Sequence, residues 1–65
     1  MNIMPNVARL MGVKIGQVFH DQTGDYDYRL TKNGLQMKYP ETFDWVDRSA
    51  KLNRFLTGEL EVVII

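Results

Sequence analysis

The stretch from Tyr26 to Tyr39 constrains the fold most, because apolar and polar residues alternate on both sides of a turn. Successive side chains of a β-strand point to opposite faces, so this alternation is typical of two half-buried strands joined as a hairpin. The apolar face contains Tyr26, Tyr28, Leu30, Leu35, Met37 and Tyr39, and the opposite face contains Asp27, Arg29, Gln36 and Lys38. In the turn, Asn33 and Gly34 suit the positive φ angles of a tight hairpin connection.

Two short amphipathic helices are predicted, one on each side of the strand region. Pro5 favours a helix start, and Gly12 and Gly58 favour helix ends. Either Ser49 or Asp47 can cap the second helix. The apolar stripes, at i, i+3 and i+4 spacing, are Val7, Leu10 and Met11 in the first helix and Leu52, Phe55 and Leu56 in the second.

Three further segments favour extended structure. Residues 17–20 predict a first strand, and the alternation around Phe43 and Trp45 predicts a short third hairpin arm with both rings in the core. The chain ends on four β-branched residues, which favour a strand inside the sheet, buried on both faces. We therefore predict an α+β fold with a small antiparallel sheet of three to five strands and two short helices on one face.

Length and composition exclude several classes of protein. Sixty-five residues suffice for one small domain, so we expect residues 1–65 to form a single unit, either complete or the first part of a longer protein. Eight basic and eight acidic residues cancel, so no net field attracts the chain to nucleic acid or to an anionic membrane. Cysteine is absent and His20 is the only histidine, so we expect no metal and no cofactor. No apolar run approaches the ~20 residues of a membrane span, and we expect a cytoplasmic protein.

No residue pattern predicts catalysis. His20 stands beside Asp21, but adjacent strand residues point to opposite faces and no serine or cysteine lies nearby in sequence to be activated. The aspartates that cluster around the turns are Asp21, Asp25, Asp27, Asp44 and Asp47. They are typical of turn and cap chemistry, in which the carboxylate accepts hydrogen bonds from nearby amides. We therefore predict a protein that is not an enzyme and has no catalytic residue.

Most of the chain resembles a family of short uncharacterised proteins encoded by phages and prophages of Gram-positive bacteria. The resembling segments are NVARLMGVKIGQVF at the front, YRLTKNGL in the hairpin, Trp45, and LNRFLTGELEVVII at the end. These are glycine caps, core positions and a turn, so the resemblance implies a shared fold and a phage origin but transfers no active site. It also implies a location in the cytoplasm of a bacterial host cell.

Three functions remain open. The first is a non-enzymatic accessory protein that binds a host or phage protein through Tyr26, Arg29, Lys38 and Tyr39, since aromatic and arginine side chains are common interface anchors. The second is a small nucleic-acid-binding regulator that uses the basic second helix at Arg48, Lys51 and Arg54. The third is a homo-oligomeric structural module that associates through Val62, Val63, Ile64 and Ile65.

Overall fold

Two short helices and one antiparallel sheet of five strands make up the computed structural model, which describes residues 3–64. In chain order the elements are α1 (Met4–Met11), β1 (Val18–His20), β2 (Asp27–Thr31), β3 (Gly34–Lys38), β4 (Val46–Asp47), a 3-10 turn (Ser49–Lys51), α2 (Leu52–Leu56) and β5 (Val63–Ile64). The strands lie in the order β4-β3-β2-β1-β5. The predicted α+β class is confirmed.

The hairpin of β2 and β3 has the predicted alternation. Tyr28 pairs with Met37 and Leu30 pairs with Leu35, and these four side chains are buried on one face. The prediction of a positive φ at Asn33 was wrong, because among residues 3–64 only glycines have positive φ angles. Gly34 alone supplies that conformation in this turn, with φ 137°.

Gly34 also marks a close approach between the hairpin and the 3-10 turn. A Cβ atom at Gly34 would collide with Oγ of Ser49. That hydroxyl donates a hydrogen bond to Oδ1 of Asp47 at 2.7 Å, which limits its freedom to move away. The position therefore requires glycine both for its backbone angle and for space.

Helix α1 begins and ends where the sequence predicts. Pro5 lies in the first turn, and Gly12, with φ 76°, caps the end by donating its N–H to carbonyls of the last turn. The predicted apolar stripe was partly wrong, since Leu10 is 79% exposed. The buried side chains are Met4, Val7 and Ala8, and Met11 packs against them. The buried side of α1 therefore includes Met4 and Ala8, whereas Leu10 faces outward.

The second helix starts with a 3-10 turn before its α-helical part. Asp47 accepts hydrogen bonds from the backbone N–H and the hydroxyl of Ser49, at 3.0 and 2.7 Å. Phe55 is buried and Leu52 packs against the core, but Leu56 is 46% exposed. Gly58 follows the helix with φ 86°, as predicted for its end.

Two strand predictions were wrong. The predicted third arm around Phe43 and Trp45 is shifted, because the chain leaves the sheet after β3 and pairs again only at Val46 and Asp47. Phe43 is 95% exposed and Trp45 is not part of the core cluster, so the prediction that both rings lie in the core was wrong.

The last strand lies at an edge of the sheet, where we predicted an inner position. β1 pairs with β2 on one side and with β5 on the other, so β5 has only one neighbouring strand. Val63 and Ile64 are 43% and 52% exposed, and Ile65 lies outside the described residues. β-Branched residues indicate an extended backbone, but they do not indicate how many neighbours the strand has.

The core lies between the two helices and one face of the sheet, which we call the inner face. Its fully buried side chains are Tyr28, Phe19, Leu30 and Leu35. Both helices contribute to the same cluster, through Val7 and Ala8 of α1 and Phe55 of α2. The opposite side of the sheet, the outer face, is not covered by either helix, as expected for an antiparallel sheet with one solvated side.

Candidate functional site

The outer face has a polar and aromatic cluster, which we call the sheet-face patch and which consists of His20, Asp27, Arg29, Lys38 and Trp45. The cross-strand register places His20, Asp27 and Lys38 side by side on β1, β2 and β3. Trp45 directly precedes β4 and lies against the same face. The patch is therefore assembled from four neighbouring strand segments.

Asp27 contacts two other side chains of the patch, those of His20 and Lys38. Its Oδ1 lies 2.7 Å from Nε2 of His20, and its Oδ2 accepts a hydrogen bond from Nζ of Lys38 at 2.8 Å. The hydrogen bond from Lys38 lowers the pKa of the Asp27 carboxyl; burial opposes this shift, and the contact with His20 adds to it. The carboxylate is thus satisfied within the patch and stays ionised.

Arg29 is held in a fixed orientation by two neighbours. Its Cζ lies 4.2 Å from the centroid of the Trp45 ring, a cation–π contact. Its Nε donates a hydrogen bond to Oε1 of Gln36 at 2.8 Å. Within the part of the chain that the structure describes, the two terminal amino groups of Arg29 have no hydrogen-bond partner. The side chain therefore presents an oriented guanidinium edge with free donors.

The structure divides the four residues predicted to bind protein between two sides of the sheet. Arg29 and Lys38 lie on the outer face, as the alternation predicts. Tyr26 and Tyr39 lie on the inner side at the end of the hairpin, with ring centroids 5.2 Å apart. Nζ of Lys51 lies 5.0 Å from the Tyr26 ring centroid. One partner surface cannot cover all four residues without wrapping around the hairpin.

The three cations predicted to bind nucleic acid are already engaged. Nζ of Lys51 lies 3.4 Å from the hydroxyl of Tyr28 and points toward the core. Arg54 forms an ion pair with Glu59 at 3.2 Å, and Arg48 donates to the backbone carbonyl of Asp47. Each of the three side chains therefore has a partner within the domain, and that of Arg54 is an acidic side chain.

The Asp21 carboxylate has a structural role. It is 5% exposed and accepts hydrogen bonds from Thr23, from the backbone N–H of Gly24 and from the hydroxyl of Tyr28. Burial acts to raise the pKa of Asp21, but these hydrogen bonds outweigh it and lower the value. Burial and the nearby Asp21 carboxylate raise the pKa of Tyr28 to about 12. The polar partner of His20 is Asp27 on the next strand, not its sequence neighbour Asp21.

Phe43 is a candidate contact residue that the sequence reasoning placed in the core. It lies in the loop between β3 and β4, next to Asp44 and two residues after Glu41. The loop is fixed at its start, where the Tyr39 carbonyl accepts hydrogen bonds from the N–H and the hydroxyl of Thr42, and at its end by Trp45. The Pro40-Glu41-Thr42 break and the two acidic residues were the signals for an exposed loop.

An apolar groove lies on the other side of the molecule, between the helices and the segment before β5. Its volume is about 640 Å³, and its lining includes Leu10, Met11, Phe55, Leu60 and Val62. Among residues 3–64 no cluster of three or more His, Asp or Glu side chains could hold a metal ion. No helix in the described part of the chain is long and apolar enough to cross a membrane.

No protein-family model, curated protein or solved structure matches this chain. Among the surfaces described above, the sheet-face patch combines the features most typical of a contact surface. It has an oriented arginine, an aromatic ring and a satisfied ion-pair network on one solvent-facing side of the sheet.

Proposed function

We propose that this protein is a non-enzymatic binding module that contacts another protein through its sheet-face patch. The observation that supports the proposal is the fixed orientation of Arg29, which lies over the Trp45 ring and is bonded to Gln36 on an uncovered face. Tryptophan and arginine dominate the binding energy of many interfaces, and a side chain already held in place loses little entropy on binding.

The loop that contains Phe43 extends the proposed contact surface beyond the sheet. A phenylalanine that is 95% exposed buries little apolar area in the isolated domain, and a partner pocket would remove that area from water. Trp45, two residues later, connects the loop to the sheet-face patch. A partner that covers Arg29 and Trp45 can therefore also reach Phe43.

The resemblance to phage and prophage proteins supports a host or phage protein as the partner and the bacterial cytoplasm as the location. The nucleic-acid alternative has less support, because Arg48, Lys51 and Arg54 are engaged within the domain. Nucleic-acid affinity depends on several cations that are free to neutralise phosphates.

A capture experiment tests the proposal. The tagged protein is immobilised, a Gram-positive host lysate is passed over it with and without nuclease, and retained proteins are identified by mass spectrometry. Arg29→Gln combined with Trp45→Leu removes the oriented guanidinium, and Arg9→Gln removes an exposed charge on α1 as the matched control. We expect a protein retained by the wild type and by Arg9→Gln, with or without nuclease, and lost by the double variant.

Retention that disappears with nuclease, or that the double variant preserves, would contradict the proposal. Circular dichroism of each variant checks that the domain stays folded. Arg29→Gln is preferable to a charge reversal at Lys38, because a new carboxylate there would stand beside Asp27 and destabilise the sheet.

A second candidate function is self-association through the free edge of β5. The observation that favours it is the exposure of Val63 and Ile64, since an apolar strand edge can pair with another strand. Val62 packs against the core instead, and Ile65 is outside the described residues. Sedimentation at increasing concentration tests this candidate. We expect Ile64→Lys to abolish a concentration-dependent dimer, and a wild-type monomer at every concentration would refute it.

A further inference from the structure

We propose that the terminal amino groups of Arg29 bind a carboxylate in an acidic segment of the partner protein. This inference rests on the proposed function, because it specifies what a partner of the sheet-face patch must present. The guanidinium stacks on Trp45, and its Nε–H donates a hydrogen bond to Gln36. Its two terminal amino groups have no hydrogen-bond partner among residues 3–64. These are the donors that form two parallel hydrogen bonds to a carboxylate.

The anions on the outer face are already satisfied, which leaves Arg29 available. Asp27 is held by His20 and Lys38. Oδ1 of Asp47 accepts two hydrogen bonds from Ser49. Arg29 has no ion-pair partner among residues 3–64, so an incoming carboxylate competes with no internal anion for it.

Lys38, which is paired with Asp27, lies beside the same aromatic ring as Arg29. Its Nζ lies 5.6 Å from the centroid of the same Trp45 ring that Arg29 covers, so two cations lie near one aromatic surface. A basic segment would meet like charge at this ring and would be disfavoured.

A protein carboxylate fits the patch better than a nucleic-acid backbone does. A backbone presents one phosphate after another and requires a row of free cations. On the outer face Lys38 is already paired with Asp27, so Arg29 is not part of such a row of free cations. One free guanidinium between satisfied carboxylates suits a single acidic side chain.

Nuclear magnetic resonance provides a direct test with a defined probe. Isotope-labelled protein is titrated with a synthetic peptide of alternating glutamate and alanine, and the signals followed are the Arg29 Nε–H and the Trp45 indole N–H. We expect saturable shifts of these two signals, and no such shifts with the same peptide carrying lysine in place of glutamate. Arg9→Gln should bind as the wild type does, and Arg29→Gln should lose the saturable response.

Arg29→Lys tests whether the ligand requires the planar pair of arginine donors or only a positive charge. Lysine keeps the positive charge but lacks the planar pair of donors, so we expect binding of the glutamate peptide to weaken about tenfold. Equal binding by Arg29→Lys, or shifts that persist in Arg29→Gln, would overturn the inference. Inorganic phosphate serves as a further probe. Phosphate that binds more tightly than the glutamate peptide would assign the site to phosphate and not to a protein carboxylate.

Failure of the inference and failure of the proposed function give different results. If lysate capture depends on Arg29 and Trp45 but the glutamate peptide does not bind, the binding module stands and the carboxylate inference is overturned. If the glutamate peptide binds at Arg29 and the captured protein contacts the patch through an acidic segment, both are supported.

Discussion

The inner and outer faces of the sheet are formed by the same strands but differ in burial and in the kind of contact their side chains make. On the inner face Tyr28, Leu30 and Leu35 are 0% exposed and pack against the helices. On the outer face Asp27 and Arg29 alternate with them and form polar and cation–π contacts at the surface. Two residues next to each other in sequence therefore contribute to different properties of the molecule.

The two faces should differ in how much they contribute to the stability of the domain. Burying a leucine side chain contributes about 1.5–3 kcal/mol. A surface ion pair contributes about 0.2–1 kcal/mol. The free energy of unfolding should therefore depend mainly on the inner face. The outer face can change more freely, and variants there can test binding without unfolding the domain.

The largest expected effect is truncation of an inner leucine. Leu30→Ala should lower the free energy of unfolding by about 2–5 kcal/mol, because it leaves a cavity in the core. That loss approaches the whole stability of a domain of this size, so the milder Leu30→Val should be measured beside it. Val18→Ala on the outer face, at a side chain 38% exposed, is the control and should cost about 0.5 kcal/mol or less. Urea unfolding followed by circular dichroism measures both, and equal losses would contradict the division of roles.

Tyr28→Phe tests the buried polar contact on the inner face. It removes the hydroxyl that donates to Asp21, and we expect a loss of about 0.5–1.5 kcal/mol at neutral pH. The folded-state pKa of Tyr28 is raised from 10.0 to about 12, so its contribution is complete below pH 10 and is lost as pH rises toward 12. The wild type should therefore lose stability in that alkaline range, and Tyr28→Phe should lose less.

Urea unfolding over the alkaline range measures this difference between wild type and Tyr28→Phe. Tyr39→Phe is the matched control, because the Tyr39 side chain is 56% exposed and makes no contact with Asp21. The assignment to Tyr28 would fail if Tyr39→Phe reproduced the alkaline behaviour of Tyr28→Phe.

Asp27→Asn tests the ion pair on the outer face. Asp27 is the sequence neighbour of Tyr28, and its contribution to stability should depend on pH in the acidic range. We expect a loss of about 0.5–1 kcal/mol at neutral pH, since the variant loses the ion pair with Lys38. The folded-state pKa of Asp27 is lowered from 3.8, so its contribution is complete above that pH and is lost as pH falls through the folded-state value. The gap between wild type and Asp27→Asn should therefore close in acid.

Stability measured against pH for both proteins checks the prediction for Asp27. Asp25→Asn removes a carboxylate from an exposed loop residue and is the control. If the difference in free energy of unfolding between wild type and Asp27→Asn stays constant at acidic pH, Asp27 stabilises the fold by something other than its charge.

The smallest expected effect is at Phe43. Phe43→Ser should change the free energy of unfolding by less than about 0.5 kcal/mol, because the side chain is 95% exposed. Phe19→Ser, at a side chain that is 0% exposed, should prevent folding. A loss above about 1 kcal/mol for Phe43→Ser would show that the loop packs against the domain in solution.

Local patterns in the sequence predict much of this fold. The two-residue period of the hairpin and the glycines after each helix depend on neighbouring residues, and both predictions are confirmed. The edge position of β5 depends on which strand has a free side, and the β-branched residues contain no signal for that. Phe43 resembled a strand residue because Trp45 follows it at a spacing of two, although the chain rejoins the sheet only at Val46.

The candidate site was predictable in part, because the two-residue alternation of the hairpin is a local pattern. The alternation places Arg29 and Lys38 on the outer face, and their role in binding stays a prediction. The partners of these side chains depend on the register between strands that the sequence does not specify. Trp45 reaches Arg29 through the pairing of β3 with β4, and His20 reaches Asp27 through the pairing of β1 with β2.

Trp45 is the only tryptophan of the chain, and it lies on the outer face under the Arg29 guanidinium. Its fluorescence therefore reports on the surface of the molecule, whereas the tyrosine signals of Tyr26 and Tyr28 report on the packed side. A ligand that displaces or covers Arg29 should change the emission of Trp45 while the tyrosine circular dichroism stays constant. Trp45 thus provides an optical signal from the outer face that is separate from the tyrosine signal of the packed side.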